Sequence, residues 1–267
     1  MPTPPSASSY DAIPDFGALY DAVPAYAARA DVAYYVARAA EAPGPVLELG
    51  CGTGRVLLPM ARAGAPVVGL DGSREMLARC RAKLERELPE TRARVTLREG
   101  DATAFDLGAT FPLVVAPFRL LQQLVSVDEQ LRLLDRVARH LAPGGRFVFD
   151  VFNPAFASLV TDRSAEWVDT PDTRLDDGRT MRRAIRVPRV RWTEQVSETE
   201  LIYYVSDTPG ASPTRYVQTF DMRWYLPAEL VHLLARAGLR VDQIAGDFDG
   251  APLADGSPEI VIVAERA

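Results

Sequence analysis

Short apolar runs alternate with amphipathic segments between residues 46 and 152. The apolar runs predict buried strands, and segments with apolar residues at every third or fourth position predict helices. Strands joined through helices form parallel sheets, so this stretch predicts an α/β fold built of βαβ units. The predicted strands are 46–49, 66–70, 95–98, 113–116 and 146–152, and the predicted helices are 55–63, 73–87 (ended by Pro89) and 128–141.

The segments on either side of this stretch differ from it. Residues 1–14 are rich in Pro and Ser and predict a disordered tail, whereas residues 15–43 predict a helical cover that is broken near Pro24. Near the end of the chain, a helix at 227–237 and strands at 239–244 and 260–264 return to the main sheet. The predicted core therefore comprises residues 44–153 and 227–267.

Residues 154–226 break the βα alternation. Polar and apolar positions alternate over 179–190, 191–206 and 214–226, with a turn at 207–210. This pattern predicts an insert of three antiparallel strands, which we call the insert throughout. Its exposed edge could pair two copies of the chain into a homodimer, although the sequence does not fix the oligomeric state.

Composition narrows the class of protein. Of the 267 residues, 48% are hydrophobic and 25% charged, as in ordinary globular proteins. The net charge of -6 argues against nucleic acid as a partner. Two cysteines, no signal-like N-terminus and no long apolar run favour a cytoplasmic protein that does not enter a membrane.

The first strand ends in a glycine-rich turn. Glu48 lies in the strand, and Gly50, Gly52 and Gly54 follow at alternate positions before a helix. Such a turn exposes bare main chain, and the helix start favours a negative group, so the turn predicts a nucleotide-like cofactor. A dinucleotide site needs its third glycine where Arg55 stands, which argues against that cofactor.

Acidic residues end the next two strands. Asp71 could accept hydrogen bonds from two ribose hydroxyls or could cap the following helix, although Ser73, three residues before Met76, is the better cap. Asp101 could accept from the exocyclic amine of an adenine while the Ala102 amide donates to the ring. A simple turn role for Asp101 remains an alternative.

Taken together, these motifs resemble the class I S-adenosylmethionine-dependent methyltransferases. The matching stretches are 48–54, 69–73 with 76–77, 99–102 and 141–145. The resemblance implies a Rossmann-like, doubly wound, seven-stranded sheet whose last strand is antiparallel, and it implies S-adenosylmethionine as cofactor, converted to S-adenosylhomocysteine. The cofactor-binding residues that it implies are Tyr20, Arg29, Glu48, Gly50, Cys51, Gly52, Gly54, Arg55, Asp71, Gly72, Ser73, Met76, Asp101, Ala102, Pro117 and Phe118.

The cover and the insert resemble those of sugar N-methyltransferases and glycine N-methyltransferase-like enzymes, which act on small molecules. The stretch 116–119, Ala-Pro-Phe-Arg, lacks the motif of amino-group DNA methyltransferases. We therefore expect methyl transfer to N or O of a small-molecule acceptor. Two alternatives stay open: a non-catalytic protein that binds the cofactor, and an NAD(P)-dependent oxidoreductase.

Candidates for contact with the acceptor follow the strand ends and the cover. They are Tyr20, Phe118, Gln122 and Asn153, with Arg119, Phe152, Tyr203, Trp224 and Tyr225 as further pocket candidates. Neither His140 nor His232 is placed as a base, because each fits a structural position on a helix. No spacing typical of a metal site is present, so no metal is expected.

Overall fold

The computed structural model describes residues 9–208 and 210–267. Its main sheet has seven strands in the order β10-β11-β5-β4-β1-β2-β3. Strands β1 to β5 are parallel, and the last strand, β11, runs antiparallel to both of its neighbours, β5 and β10. The Rossmann-like sheet with an antiparallel last strand is thus confirmed. The strands are β1 Val46–Leu49, β2 Val67–Asp71, β3 Val95–Glu99, β4 Phe111–Ala116, β5 Leu141–Phe152, β10 Leu239–Ala245 and β11 Glu259–Arg266.

Helices cover both faces of this sheet. Leu133, Leu134 and Leu230 pack on one face, and Tyr35, Leu57 and Leu77 pack on the other. The sheet is therefore doubly wound, and its strand order reverses between β1 and β4, where ligands bind in such folds. The helices are α1 Phe16–Asp21, α2 Pro24–Ala27, α3 Asp31–Glu41, α4 Leu57–Arg62, α5 Arg74–Leu84, α6 Pro89–Ala93, α7 Val127–His140, α8 Phe156–Val160 and α9 Pro227–Arg236.

Local chemistry sets where two of the helices begin. Pro89 begins α6 instead of only ending a longer helix, because proline fits the first helical turn, where no N–H donor is needed. The predicted start of α7 is confirmed within one residue: Ser126 accepts a hydrogen bond from Glu129 N, and the Glu129 side chain bonds back to Ser126 N.

The insert holds a second sheet, a four-stranded antiparallel meander in the order β6-β7-β8-β9. The prediction of three strands was wrong by one, since residues Arg163–Arg174 form β6. The insert also contains the short helix α8. The predicted turn at 207–210 includes residue 209, which lies outside the described residues. The other strands are β7 Thr180–Arg191, β8 Val196–Ser206 and β9 Thr214–Arg223.

The cover, residues 15–43, lies between the main sheet and the insert. Phe16 and Leu19 of α1 form a common core with Tyr203 of β8, and Ile13 belongs to the same core. The predicted disordered tail extends too far, because Ser9–Ala12 form a 3-10 turn and Ile13 is buried. Residues 1–8 of that predicted tail lie outside the described residues.

Candidate active site

The glycine turn after β1 presents main chain on one side. Gly50, Gly52 and Gly54 have φ of 68°, 52° and 82°, a region that glycine adopts freely. A Cβ at Gly54 would lie 2.8 Å from Cys80 Sγ, whereas at Gly52 the nearest atom is the flexible Cε of Met76, at 3.4 Å. Packing therefore requires glycine at 54, and the absence of a side chain at 52 keeps the main chain open to a ligand.

Asp71, at the end of β2, is tied to this turn. Its Oδ2 accepts a hydrogen bond from Gly52 N at 2.7 Å, and its Oδ1 accepts from Ser73 N at 2.8 Å. Burial raises the pKa of Asp71 more than these hydrogen bonds lower it. Ser73 caps α5 by accepting from Met76 N, as predicted. The carboxylate of Asp71 retains lone pairs for further donors.

Asp101 follows β3 at an exposed turn. Its Oδ1 accepts hydrogen bonds from Thr103 N at 2.7 Å and Thr103 Oγ1 at 2.9 Å, so the turn role left open by the sequence is present. The residue also lines an open cavity of about 370 Å³ beside Gly100 and Phe105. The half-buried Ala102 follows it. Because Asp101 lines this cavity and its two hydrogen bonds use Oδ1, a ligand ring in the cavity could approach Oδ2.

Two of the residues predicted to bind the cofactor have a buried polar atom without a hydrogen-bond partner among the described residues. One atom is Oε2 of Glu48, a residue that is 2% exposed, and the other is Nη1 of Arg29, which lies 3.6 Å from Asp31 Oδ2 as an ion pair. Burial, with the nearby charges of Asp71 and Asp31, raises the pKa of Glu48 well above its ordinary value, although Arg55 opposes this. A buried acceptor and a buried donor match the ammonium and carboxylate of an α-amino acid group.

Carboxylates hold both arginines predicted to bind the cofactor. The guanidinium of Arg55 is bidentate on Asp31, at 2.7 and 2.6 Å. Arg29 Nη2 lies 2.9 Å from both Asp150 Oδ2 and Glu259 Oε1. Burial lowers the pKa of Arg29, but the nearby carboxylates raise it by a larger amount, so the net shift of the pKa is upward. The carboxylates that hold these two arginines therefore come from α3, β5 and β11.

Sequence reasoning missed the carboxylates of Asp31, Asp150 and Glu259 as parts of the site. The available signal was Asp150, an acidic residue within the apolar strand Phe-Val-Phe-Asp-Val-Phe. Buried charges of this kind need a partner, and the partner here lies 121 residues away in the chain.

Three aromatic rings come together where the cover meets the end of β4. The ring centroids of Tyr20 and Tyr26 are 4.8 Å apart, and those of Tyr26 and Phe118 are 4.9 Å apart. Phe118, which follows the buried Pro117, lies between the guanidinium groups of Arg29 and Arg55, at 5.1 and 4.7 Å. Its φ of 59° is a conformation rarely adopted outside glycine. The cover and the β4 loop therefore form one cluster.

The amides predicted to contact the acceptor are bonded to the backbone. Gln122 Nε2 donates to Arg223 O, and its Oε1 accepts from Phe152 N. Asn153 Nδ2 donates to Ser257 O. These contacts brace the ends of β4 and β5, and they engage both polar atoms of the Gln122 side chain and one donor of Asn153.

The remaining pocket candidates also have structural partners. Tyr203 packs edge-on against Phe16, with centroids 5.6 Å apart, and Tyr225 donates to Leu121 O. Trp224 is buried, 5% exposed. Arg119, which stacks on Phe152, pairs with Glu259.

Both histidines lie outside the cluster. His140 is buried between Arg136 O, which contacts its Nδ1 at 2.7 Å, and Leu107 N, which donates to its Nε2 at 3.0 Å. His232 is exposed on α9. Within the described residues, no group of three His, Cys, Asp or Glu side chains could hold a metal ion. Nor does any helix in the described part of the chain have the length and apolar character to cross a membrane.

The structure thus brings the predicted cofactor residues together in two groups. The first is the turn with the β2 end: Gly50, Cys51, Gly52, Gly54, Asp71, Gly72, Ser73 and Met76. The second is the cover with the β4 end: Tyr20, Arg29, Arg55, Pro117 and Phe118. Glu48 lies in β1, before the turn, while Asp101 and Ala102 follow the edge strand β3.

Known proteins resemble this chain in sequence. A methyltransferase domain family matches residues 46–145. The dTDP-3-amino-3,4,6-trideoxy-alpha-D-glucopyranose N,N-dimethyltransferase of Streptomyces venezuelae is 30% identical, covering 86% of this chain and 89% of its own. The Cypemycin N-terminal methyltransferase of a Streptomyces species is 31% identical over 83% of this chain and 82% of its own.

Solved structures agree with this grouping. The CcbJ methyltransferase from Streptomyces caelestis superposes with a TM-score of 0.78 at 28% identity, covering 98% of each chain. A SAM-bound amino pentose methyltransferase from Micromonospora echinaspora gives 0.68 at 26% identity, over 93% of this chain and 97% of its own. These relatives do not support the oxidoreductase alternative. The chain belongs to the S-adenosylmethionine-dependent methyltransferases and uses S-adenosylmethionine as its cofactor.

Proposed function

We propose that this methyltransferase transfers a methyl group to an amine nitrogen of a small-molecule acceptor, such as an amino sugar. The observation that carries this proposal is the character of the side chains around the cluster. Burial raises the pKa of the Tyr20 phenol further above its ordinary value, and both histidines lie elsewhere. A hydroxyl acceptor needs a base, whereas a neutral amine supplies its own lone pair. The relatives named as N-methyltransferases support the same choice.

The chemistry of Glu48 and Arg29 fits the amino acid part of the cofactor, because each has a buried polar atom without a hydrogen-bond partner among the described residues. We propose that Glu48 Oε2 accepts from the ammonium of the methionine part and that Arg29 Nη1 donates to its carboxylate. The open main chain at Gly52 leaves room for this part to lie against the turn. We propose ribose contacts at Asp71 and adenine contacts at Asp101 and Ala102. When bound, the cofactor supplies an electrophilic methyl group on a sulfonium.

The chain's own contribution to the reaction is then mainly geometric. In-line transfer needs the acceptor nitrogen, the methyl carbon and the sulfur on one line, and holding that line removes much of the barrier. Tyr20 of α1 and Phe118 of the β4 loop are the candidates for contact with the reacting groups, since their rings meet edge to face where the cover contacts this loop. We propose that Gln122 and Asn153 act indirectly, by fixing the strand ends through the backbone.

The test compares matched acceptors. Amino sugars and their hydroxyl counterparts, free and nucleotide-linked, are incubated with enzyme and S-adenosylmethionine, and products are identified by mass spectrometry. The proposal expects N-methylated product from an amino acceptor and none from its hydroxyl counterpart. Methylation of the hydroxyl compounds with equal kcat/KM would contradict it. Methyl transfer to no acceptor, despite cofactor binding, would favour the non-catalytic alternative.

We further propose a cytoplasmic homodimer without nucleic-acid partners. The support is the net charge of -6 and the edge strand β6, in which Val168 is 55% exposed. Light scattering of the purified protein tests the dimer, and a monomeric mass at micromolar concentration would contradict it.

A further inference from the structure

We infer that Asp150, in β5, is a positioning residue that sets both the cofactor-facing guanidinium of Arg29 and the ring of Phe118. This inference rests on the proposed roles of Arg29 and Phe118. Asp150 is 0% exposed, and its carboxylate receives three hydrogen bonds from three separate parts of the chain.

The first two of these bonds reach the cover. Oδ2 accepts from Arg29 Nη2 at 2.9 Å, and Oδ1 accepts from Tyr35 Oη at 2.7 Å. Arg29 lies between α2 and α3, whereas Tyr35 is fully buried within α3. Because Nη2 is held by Asp150 and Glu259, the orientation of the planar guanidinium is fixed, and so is the direction of Nη1, which lies 3.6 Å from Asp31 Oδ2 and makes no hydrogen bond to the described residues.

The third bond reaches the β4 loop. Phe118 N donates to Asp150 Oδ1 at 2.9 Å. Phe118 and Arg119 are consecutive residues with φ of 59° and 66°, and such conformations persist only where the surroundings enforce them. The bond to Asp150 holds this turn and so directs the Phe118 ring toward Tyr20 and Tyr26.

One carboxylate therefore couples two parts of the site that are far apart in sequence. Asp150 need not touch cofactor or acceptor to affect both. Since misplacing a reacting group by about 1 Å can cost about 100-fold in rate, a change at Asp150 should appear in catalysis as well as in stability.

Asp150→Asn tests this role with an almost unchanged shape. If the amide oxygen keeps Tyr35 and Phe118, the amide NH2 must face the Arg29 guanidinium, so donor meets donor. We expect the Kd for S-adenosylhomocysteine to rise about tenfold, the worth of one hydrogen bond to a charged group. We also expect kcat to fall by about 100-fold. If Asp150→Asn does not fold, Asp150→Ser replaces it, because serine keeps a small acceptor. We expect the same rise in Kd and the same fall in kcat for this variant.

Tyr35→Phe is the matched control, because it removes one hydrogen bond from the same carboxylate and leaves Arg29 and Phe118 bonded. It should lower Tm while Kd and kcat stay within about twofold. A second control is the double variant Asp150→Asn with Arg29→Met. If Asp150 acts on the cofactor through Arg29, its effect on Kd disappears once Arg29 is gone.

The outcomes separate the two claims. Wild-type protein that fails to bind S-adenosylhomocysteine in calorimetry would overturn the proposed cofactor contacts themselves. Wild-type binding with Asp150→Asn affecting only Tm, as Tyr35→Phe does, would overturn the positioning role alone. Fully additive effects on Kd in the double variant would do the same.

Discussion

The backbone N–H of Gly52 donates to Oδ2 of Asp71 at 2.7 Å and so joins the glycine turn after β1 to the end of β2. A carboxylate that we assign to the ribose therefore also holds the loop assigned to the methionine part. Cofactor binding and the conformation of the turn are coupled through one side chain.

Asp71→Ala should abolish cofactor binding without unfolding the protein. The substitution removes the proposed ribose acceptor and also leaves Gly52 N and Ser73 N without their partner, which costs stability on the order of 1–3 kcal/mol. Calorimetry with S-adenosylhomocysteine and thermal melts measure the two effects. Unchanged cofactor affinity would refute the ribose assignment.

Gly52→Ala should weaken cofactor binding more than it lowers stability. Its new Cβ would project into space that only Met76 Cε borders, the space assigned to the ligand, and the positive φ adds strain of about 1 kcal/mol. Gly108→Ala is the matched control, because Gly108 has a φ of 60°, close to the 52° of Gly52, and a Cβ there meets nothing within 4 Å. The two variants should show similar losses of Tm, and only the first should lose affinity. Equal affinities would be evidence against the open main chain as the ligand surface.

Cofactor binding should release protons through Glu48. Without ligand, burial holds the pKa of Glu48 well above its ordinary value, so Glu48 keeps its proton to a higher pH than an exposed glutamate does. An ammonium placed against Oε2 lowers that pKa, and the affinity therefore tightens as pH rises toward the ligand-free pKa. Calorimetry in two buffers of different ionisation enthalpy counts the protons. Glu48→Gln should abolish this proton release. If protons are still released on binding to this variant, they come from another group.

The same shift fixes the sign of the stability effect. A carboxyl whose folded pKa is raised contributes stability below its unfolded pKa, and that contribution is lost as pH rises through the folded pKa. Melting curves of the ligand-free protein across this range should therefore show a smaller pH dependence in Glu48→Gln than in wild type.

Asp21→Ala should loosen the cover. Its carboxylate accepts from Thr53 Oγ1 at 2.6 Å, from Arg79 Nε at 2.9 Å and from Lys83 Nζ at 3.1 Å, and so ties α1 to the core. Limited proteolysis should cut the cover faster in this variant. The cofactor should restore part of the protection, because its proposed contacts with Tyr20 and Arg29 require the cover to be folded on the core. Cleavage at the wild-type rate would show that other contacts hold the cover.

Local chemistry made part of the structure predictable. The turn around Gly52 and the cap at Ser73 each depend on residues close together in sequence, and each was predicted. The pairing of Ser126 with Glu129 is equally local, although only the helix that it begins was predicted. Strand β6 was missed because its 12 residues include Pro171, are mostly exposed and pair with β7 through register shifts, so no period appears.

The site residues that were not predicted from the sequence were missed for a different reason. Asp150 meets Arg29, Tyr35 and Phe118 only after the cover folds over the sheet, and these partners are 121, 115 and 32 residues away. No local pattern encodes such contacts. The isolated acid in an apolar strand predicts that a partner exists without identifying it.

The most direct measurement is a crystal structure of the protein with S-adenosylhomocysteine. The account predicts ribose hydroxyls hydrogen-bonded to Asp71, the amino acid part between Glu48 and Arg29 against the Gly52 main chain, and the sulfur facing the rings of Tyr20 and Phe118. A cofactor whose ribose is held elsewhere, or whose sulfur points away from these rings, would contradict it.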